Sequence, residues 1–178
     1  MLSLLTPARQ WRVQILDDPT VPATIRERAM RDVARANFLF GGTRSVLLGF
    51  RELVRRLPSP AVHLDVGTGT GDIADAFRRE ARRAGLDWFG IRMDISEQMT
   101  RIARAHVNGA VVGSALRIPL ADNSVDVVSC SQVLHHFTED AARELIAELH
   151  RVSRGWVVIS DLRRSWAAAG GWWVASSL

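Results

Sequence analysis

The sequence contains no lysine. All of its basic residues are arginines, so the formal charge of +4 and the high isoelectric point arise without a single flexible ammonium. A nucleotide-binding P-loop, which ends in Gly-Lys-Ser/Thr, is therefore excluded. Cysteine is nearly as scarce. Cys130 stands alone, so no internal disulfide can form, and a reducing cytoplasm is the expected compartment. No apolar run reaches the roughly 18 residues that a membrane-spanning helix needs. The opening MLSLLTPARQ is too short and too soon interrupted to read as a signal peptide. Internal repeats and low-complexity linkers are missing too. Arginine-rich stretches such as FRREARRAG read as solvated helix faces. Basic residues interleaved with aromatics along one groove do not occur, so nucleic acid is not an expected partner.

What is present is an ordinary globular composition. The 178 residues, 47% hydrophobic and 24% charged, suffice for one structural unit with a real core. The chain divides by rhythm. Residues 1–57 carry two helical stripes. One, in PATIRERAMRDVARANFLF, runs through Ile25, Ala29, Val33, Ala36 and Phe40. The other runs through Val46, Leu47, Phe50, Leu53, Val54 and Leu57. Gly41 and Gly42 separate them, and Pro58 and Pro60 stop the second. From residue 58 strands and helices alternate. AVHLDV, DWFGIRMDI, GAVVGSA, SVDVVSCSQV and GWVVISDL read as strands. DIADAFRREARRAG, SEQMTRIARAHV and TEDAARELIAELHRV read as helices, with Ser96 and Thr138 as N-caps. This alternation predicts an α/β, Rossmann-like, doubly wound parallel sheet, with ligands bound beyond the carboxyl ends of its strands.

The glycine loop in HLDVGTGTGDIAD discriminates between ligands. Gly67, Gly69 and Gly71 give G-x-G-x-G, whereas a dinucleotide fingerprint is G-x-G-x-x-G. Asp72 occupies the place of the third dinucleotide glycine, and a pyrophosphate there would meet a negative charge. Asp65, at the end of the first strand, can accept hydrogen bonds from an ammonium group or from the loop's own amides. Asp94, at the end of the second strand, can take both hydroxyls of a ribose. An amino acid joined to a nucleoside, S-adenosylmethionine, matches both groups.

Four motifs in order carry a family resemblance: HLDVGTGTGDIA, GIRMDISEQM, and the third- and fourth-strand motifs within GSALRIPLADNSVDVVSCSQVLHHF. Over roughly residues 26–162 the chain resembles the class I S-adenosylmethionine-dependent methyltransferases, especially the type 11, quinone-biosynthesis-like group. The resemblance implies that Asp65, Gly67 and Gly69 hold the methionine portion and Asp94 the ribose, with Thr68 also in the cofactor set. Ile95 and Met99 would flank the adenine, with Ser114 and Ala115 at its edge, and Gly71 and Ser131 complete the cofactor set. Ile95 and Met99 suit a core equally well, and Gly71 also suits close packing of a helix on a strand. Ser114 departs from the aspartate many members carry. SRGW, Ser153 to Trp156, replaces the usual Lys-Pro-Gly-Gly turn.

Methyl transfer needs a nucleophile aligned with the methyl carbon and, for an acidic nucleophile, a base. His135 and His136, just past the fourth strand, and Asp161, at the end of the fifth, are the catalytic candidates. His63, His106 and His150 fall on strand or helix bodies and read as structural or surface residues. By resemblance, SCSQ at Ser129 to Gln132 lacks the Asn/Asp-Pro-Pro-aromatic motif of enzymes that methylate nucleobase amino groups or glutamine. A small phenol or electron-rich ring carbon is favoured instead. By the same resemblance the N-terminal helices form a lid, with Asn37, Phe38 and Arg44 facing the substrate. Helix packing is the plainer reading of that segment. No metal site is expected.

Members of the group carry seven strands, and the tail RRSWAAAGGWWVASSL is too short for a helix and two more. The expectation is a sheet lacking its last two strands. The chain is then a truncated piece, a short form completed by another chain at the fifth strand's edge, or a cofactor-binding module without activity. The tail tryptophans, Trp166, Trp172 and Trp173, suit burial in a core, and a lipid-like substrate or membrane surface is the sharper alternative.

Overall fold

Strand β1 (Ala61–Val66) takes the centre of the sheet because both of its faces are covered, and five of its six residues are buried. The computed structural model describes residues 42–103 and 108–161, together with 21, 22, 24, 25 and 28. Around β1 lie β2 (Trp88–Asp94), β3 (Gly109–Val112), β4 (Val125–Ser131) and β5 (Ser153–Ser160). The sheet order is β3-β2-β1-β4-β5, and every pairing is parallel. The order reverses between β1 and β4, which opens a crevice beyond their carboxyl ends.

Helices cover both faces, as the alternating sequence predicts. On one side α1 (Gly42–Leu53) and α2 (Asp72–Arg83) bury Val46, Phe50, Phe77 and Ala81 against Val127. Leu64, Val66, Val128 and Cys130 point to the other side, where α4 (Glu139–Val152) places Leu145, Leu149 and Val152. A strand's side chains alternate between faces, so neighbours in β1 serve different cores. Helix α3 (Glu97–Ala103) packs beside β2 and β3. Thr138 caps α4 by accepting the Ala141 amide at 3.3 Å. Ser96 Oγ accepts the Met99 amide at the start of α3.

Several boundaries differ from the sequence reading. α1 begins at Gly42, read as part of the break, and ends at Leu53, before Leu57. β4 and β5 each end two residues before the segments read as strands. β5 begins at Ser153, two residues before GWVVISDL, because α4 runs directly into it. Ser153 Oγ accepts the Gly155 amide and donates to the Trp156 carbonyl, which knits this junction. β3 stops at Val112, three residues short of the segment read as a strand. Helix α1 lies in the layer over the sheet. Asn37, Phe38, His106 and the tail tryptophans lie outside the described residues, and the Arg44 side chain lies outside the described side chains. β5 forms one edge of the described sheet, with Trp156 and Ile159 exposed. Among the described residues, no helix is long and apolar enough to cross a membrane.

Cys130 sits inside β4 with 1% of its surface exposed. Burial, then the negative charges of Asp65 and Asp161, push its thiol up to about 12.

Candidate active site

The turn after β1 is set by its own backbone. Gly67, Gly69 and Gly71 adopt φ of +67°, +50° and +90°, a region that side chains disfavour. Gly67 and Thr68 both donate their amides to the Met93 carbonyl of β2, and Gly71 donates to the Thr68 carbonyl. Two of the glycines are also required by packing. A Cβ at Gly67 would come within 2.3 Å of Val133, and one at Gly71 within 2.2 Å of the Arg92 guanidinium. Close helix–strand packing is thus what Gly71 provides.

Asp65 supports this turn from below. It is 2% exposed. Thr68 Oγ1 donates to its Oδ2 at 2.8 Å, Ser129 Oγ donates to its Oδ1, and the Ala74 amide bonds the carboxylate as well. Of its two sequence-level roles, the one realised among these contacts is anchoring the loop. Burial raises its carboxyl to about 6, although the Ser129, Thr68 and Ala74 hydrogen bonds and the charge of Arg92 all pull downward. Arg92, itself 2% exposed, donates to Asp75 of α2 at 2.7 Å.

Asp94 ends β2 at the lip of the crevice. Its Oδ2 accepts the Gly69 amide at 3.0 Å and its Oδ1 accepts the Ser96 amide at 2.9 Å. A carboxylate has about four acceptor sites, so this one retains capacity for hydroxyl donors. Ile95 beside it is 76% exposed and offers apolar surface, whereas Met99 is 8% exposed and belongs to the core. Ser114 Oγ accepts the Leu116 amide in a local turn, and Ala115 packs against the core on the α4 side. Ser131 closes β4 opposite Ser160 of β5. This donor and acceptor set fits a nucleoside with free sugar hydroxyls. It does not fit a pyrophosphate, because Asp72 and Asp75 both stand in the first turn of α2.

The catalytic candidates meet on the other side of the crevice. The short 3₁₀ turn Leu134–His136 follows β4, and Asp161 follows β5. His135 Nδ1 lies 2.8 Å from Asp161 Oδ1, and the His135 amide donates to Asp161 Oδ2 at 3.1 Å. One carboxylate therefore grips both the ring and the backbone of His135. With Nδ1–H directed at Asp161, the basic nitrogen of the neutral ring is Nε2. The His136 ring lies 4.2 Å from that of His135 and is exposed at the rim. The strand end between them is strained: Gln132 holds φ +57° while its amide donates to the Ser160 carbonyl. Among the described residues no cluster suits a metal ion.

A family model described as a methyltransferase domain, type 11, matches residues 64–159. The chain belongs to this methyltransferase family. The match spans the strands from β1 to β5 and includes the glycine loop, Asp94 and the His135 turn. Among curated relatives, a ubiquinone/menaquinone biosynthesis C-methyltransferase of Cupriavidus metallidurans is 37% identical over 112 residues, 58% of this chain and 44% of that protein. A malonyl-[acyl-carrier protein] O-methyltransferase of Methylococcus capsulatus is 34% identical over 143 residues, 72% of this chain and 49% of that protein. The chain thus spans just under half the length of these relatives. A solved S-adenosylmethionine-dependent methyltransferase of Aquifex aeolicus shares the fold, with a TM-score of 0.50, 26% identity and 64% of each chain covered. These likenesses agree with the class I α/β architecture of the methyltransferase domain.

Two residues, Ser129 and Arg92, lie in segments that read only as strands, with no site role visible in the sequence; His63, read as structural or surface, is buried in the core. The signal was the two-residue period, which puts His63 and Asp65 on one face, and a charged residue inside GIRMD that needs a partner. His150 is exposed on α4, as that reading expected.

Proposed function

We propose that this methyltransferase domain transfers a methyl group from S-adenosylmethionine to a small hydrophobic acceptor, a phenolic or quinone-like ring methylated on oxygen or carbon. The observation that carries the proposal is the His135–Asp161 pair at the ends of β4 and β5, facing the same crevice as Asp94 and the glycine loop. The Gly67–Gly71 loop, anchored by Asp65 and Thr68, would seat the methionine portion, and Asp94 would hold the ribose hydroxyls. Ile95 would line the adenine with Met99 behind it, while Ser114, Ala115 and Ser131 border the pocket. When bound, S-adenosylmethionine supplies a methyl group on an already activated sulfonium. The chain's own task is alignment and proton removal. His135 Nε2 takes the proton of the acceptor's hydroxyl or ring carbon, and Asp161 keeps the ring oriented and balances the imidazolium charge. His136, at the rim, stands where it can contact the acceptor. Asn37, Phe38 and Arg44 are assigned to acceptor binding by the family resemblance.

The quinone C-methyltransferase relative supports the acceptor class, and the single buried cysteine supports a cytoplasmic setting. Titration calorimetry with S-adenosylmethionine tests the cofactor assignment. Asp94→Ala should weaken binding at least about tenfold, since two hydroxyl bonds to an ionised acceptor are lost. Unchanged affinity would refute the ribose assignment. Methyl transfer to a panel of phenols and hydroquinones tests the acceptor. Cofactor binding without transfer to any of them would make the domain a cofactor-binding module instead.

A further inference from the structure

Beneath the glycine loop runs a row of polar side chains that holds Asp65, the loop's anchor, together with three residues the proposed reaction does not use. β2, β1 and β4 stand in register there, so Arg92, Asp65 and Ser129 lie side by side across the sheet. His63 lies two residues down β1 on the same face. All four are buried, at 2%, 2%, 1% and 0% exposure in the order Arg92, Asp65, Ser129, His63. The His63 ring stacks on Phe77 at 4.2 Å and meets the edge of Phe50 at 5.9 Å, so it cannot turn to seek other partners.

Hydrogen-bond direction along this row is determined by proton count. His63 Nε2 lies 2.8 Å from Ser129 Oγ, and Ser129 Oγ donates to Asp65 Oδ1. A hydroxyl has one proton. With that proton on Asp65, the remaining bond must run from His63 Nε2–H to Ser129 Oγ. His63 is thereby the neutral Nε2–H tautomer, and its Nδ1 faces the core without a hydrogen-bond partner among the described residues. Burial, with the charge of Arg92 adding to it, lowers the His63 imidazole to about 3, which keeps the ring neutral.

We propose that Ser129 and His63 are positioning residues, which hold the Asp65 carboxylate in the orientation that pins the Gly67–Gly71 loop. The inference rests on the reading of that loop as the cofactor's seat. Neither residue touches the cofactor. They act through Asp65, whose other oxygen takes the Thr68 hydroxyl. The other ionisable groups around Asp65 are accounted for. Arg92 of β2 pairs with Asp75 of α2, Glu80 of α2 is bonded to Arg51 and Arg83, and the Cys130 thiol of β4 stays protonated. Helix α1 presents Phe50 to His63. Cofactor affinity should therefore fall as pH drops through about 6, where Asp65 takes up a proton and loses its grip on the loop.

The test uses the whole chain and two paired substitutions. Ser129→Ala removes two hydrogen bonds, those to His63 and to Asp65, and His63→Phe removes one, whereas Ser129→Thr and His63→Gln keep the donor. In calorimetry with S-adenosylmethionine, the first two should bind about tenfold more weakly, and the second two should stay near the wild type. The pH dependence near 6 should shift in Ser129→Ala. Nitrogen-15 spectra of the histidines should show His63 protonated on Nε2 in the wild type. A folded Ser129→Ala and a folded His63→Phe with wild-type affinity would overturn the proposal, as would an Nδ1–H tautomer. If Ser129→Ala does not fold, His63→Phe against His63→Gln decides. A wild-type chain that binds no cofactor would defeat the loop assignment, and the tautomer spectrum would still judge the row itself.

Discussion

At Gly71 the backbone turns through φ +90° directly over the Arg92 guanidinium, which lies where a Cβ would be. Gly71→Ala therefore meets both backbone strain and a buried charge that is bonded to Asp75. The strain alone costs about 1–3 kcal/mol, so urea unfolding should show a loss of at least that size. The same residue-by-residue logic applies across the crevice. Asp161 accepts from both the ring and the amide of His135. Asp161→Asn keeps the shape but offers an NH₂ or a neutral oxygen to Nδ1. It should lower kcat by about 10²–10⁴ while moving KM little. A change confined to KM would mean that Asp161 serves binding and not proton transfer.

Elements divide the labour between stability and placement. Helix α1 is fastened by Phe50, fully buried and edge-on to Phe77 at 4.8 Å. Phe50→Ala should cost about 3–5 kcal/mol in urea unfolding; a cost below 1 would show that α1 is not part of the cooperative unit. Its Arg51–Glu80 ion pair should contribute far less, because the arginine is 57% exposed. Helix α4 instead positions a loop. Arg151 donates to the carbonyls of Ile118 and Leu120, and Glu148 accepts the Ile118 amide. Arg151→Ala should speed protease cleavage between β3 and β4 without unfolding the sheet. Such elements were legible to different degrees. β1, α2 and α4 could be read from the chain because period and caps are local properties, as Thr138 illustrates. The His135–Asp161 meeting was also legible, since parallel strands deliver their ends to one edge. The Ser129–His63 bond was not: it joins residues 66 apart, and only strand register makes them neighbours. The start of β5 was missed because Ser153 and Arg154 look like a turn, and it is tertiary pairing with Val125 and Asp126 that draws them into the sheet.

For the whole molecule, the buried row has a thermodynamic signature. His63 falls from 6.5 to about 3 on folding, so its contribution is present above pH 6.5 and is lost as pH drops toward 3. Asp65 rises from 3.8 to about 6, so folding is penalised above pH 6 and relieved as pH drops toward 4. Each group alone tilts stability by about 1.4 kcal/mol per pH unit within its window. Between about pH 6 and pH 4 the two tilts oppose each other. Urea unfolding of His63→Phe across that range should show stability rising on acidification relative to the wild type, and Asp65→Asn the reverse. Parallel curves for all three proteins would contradict this account. Such measurements need a readout that works at every pH and with ligand present, and the chain carries one. Its single thiol lies inside β4, shut off from solvent and shifted to about 12. Cys130 can meet a thiol reagent only when β4 is laid open. Its alkylation rate, followed by mass spectrometry, thus becomes a clock for rare openings of the native protein, with no label or added residue. Cofactor should slow that clock in proportion to its occupancy.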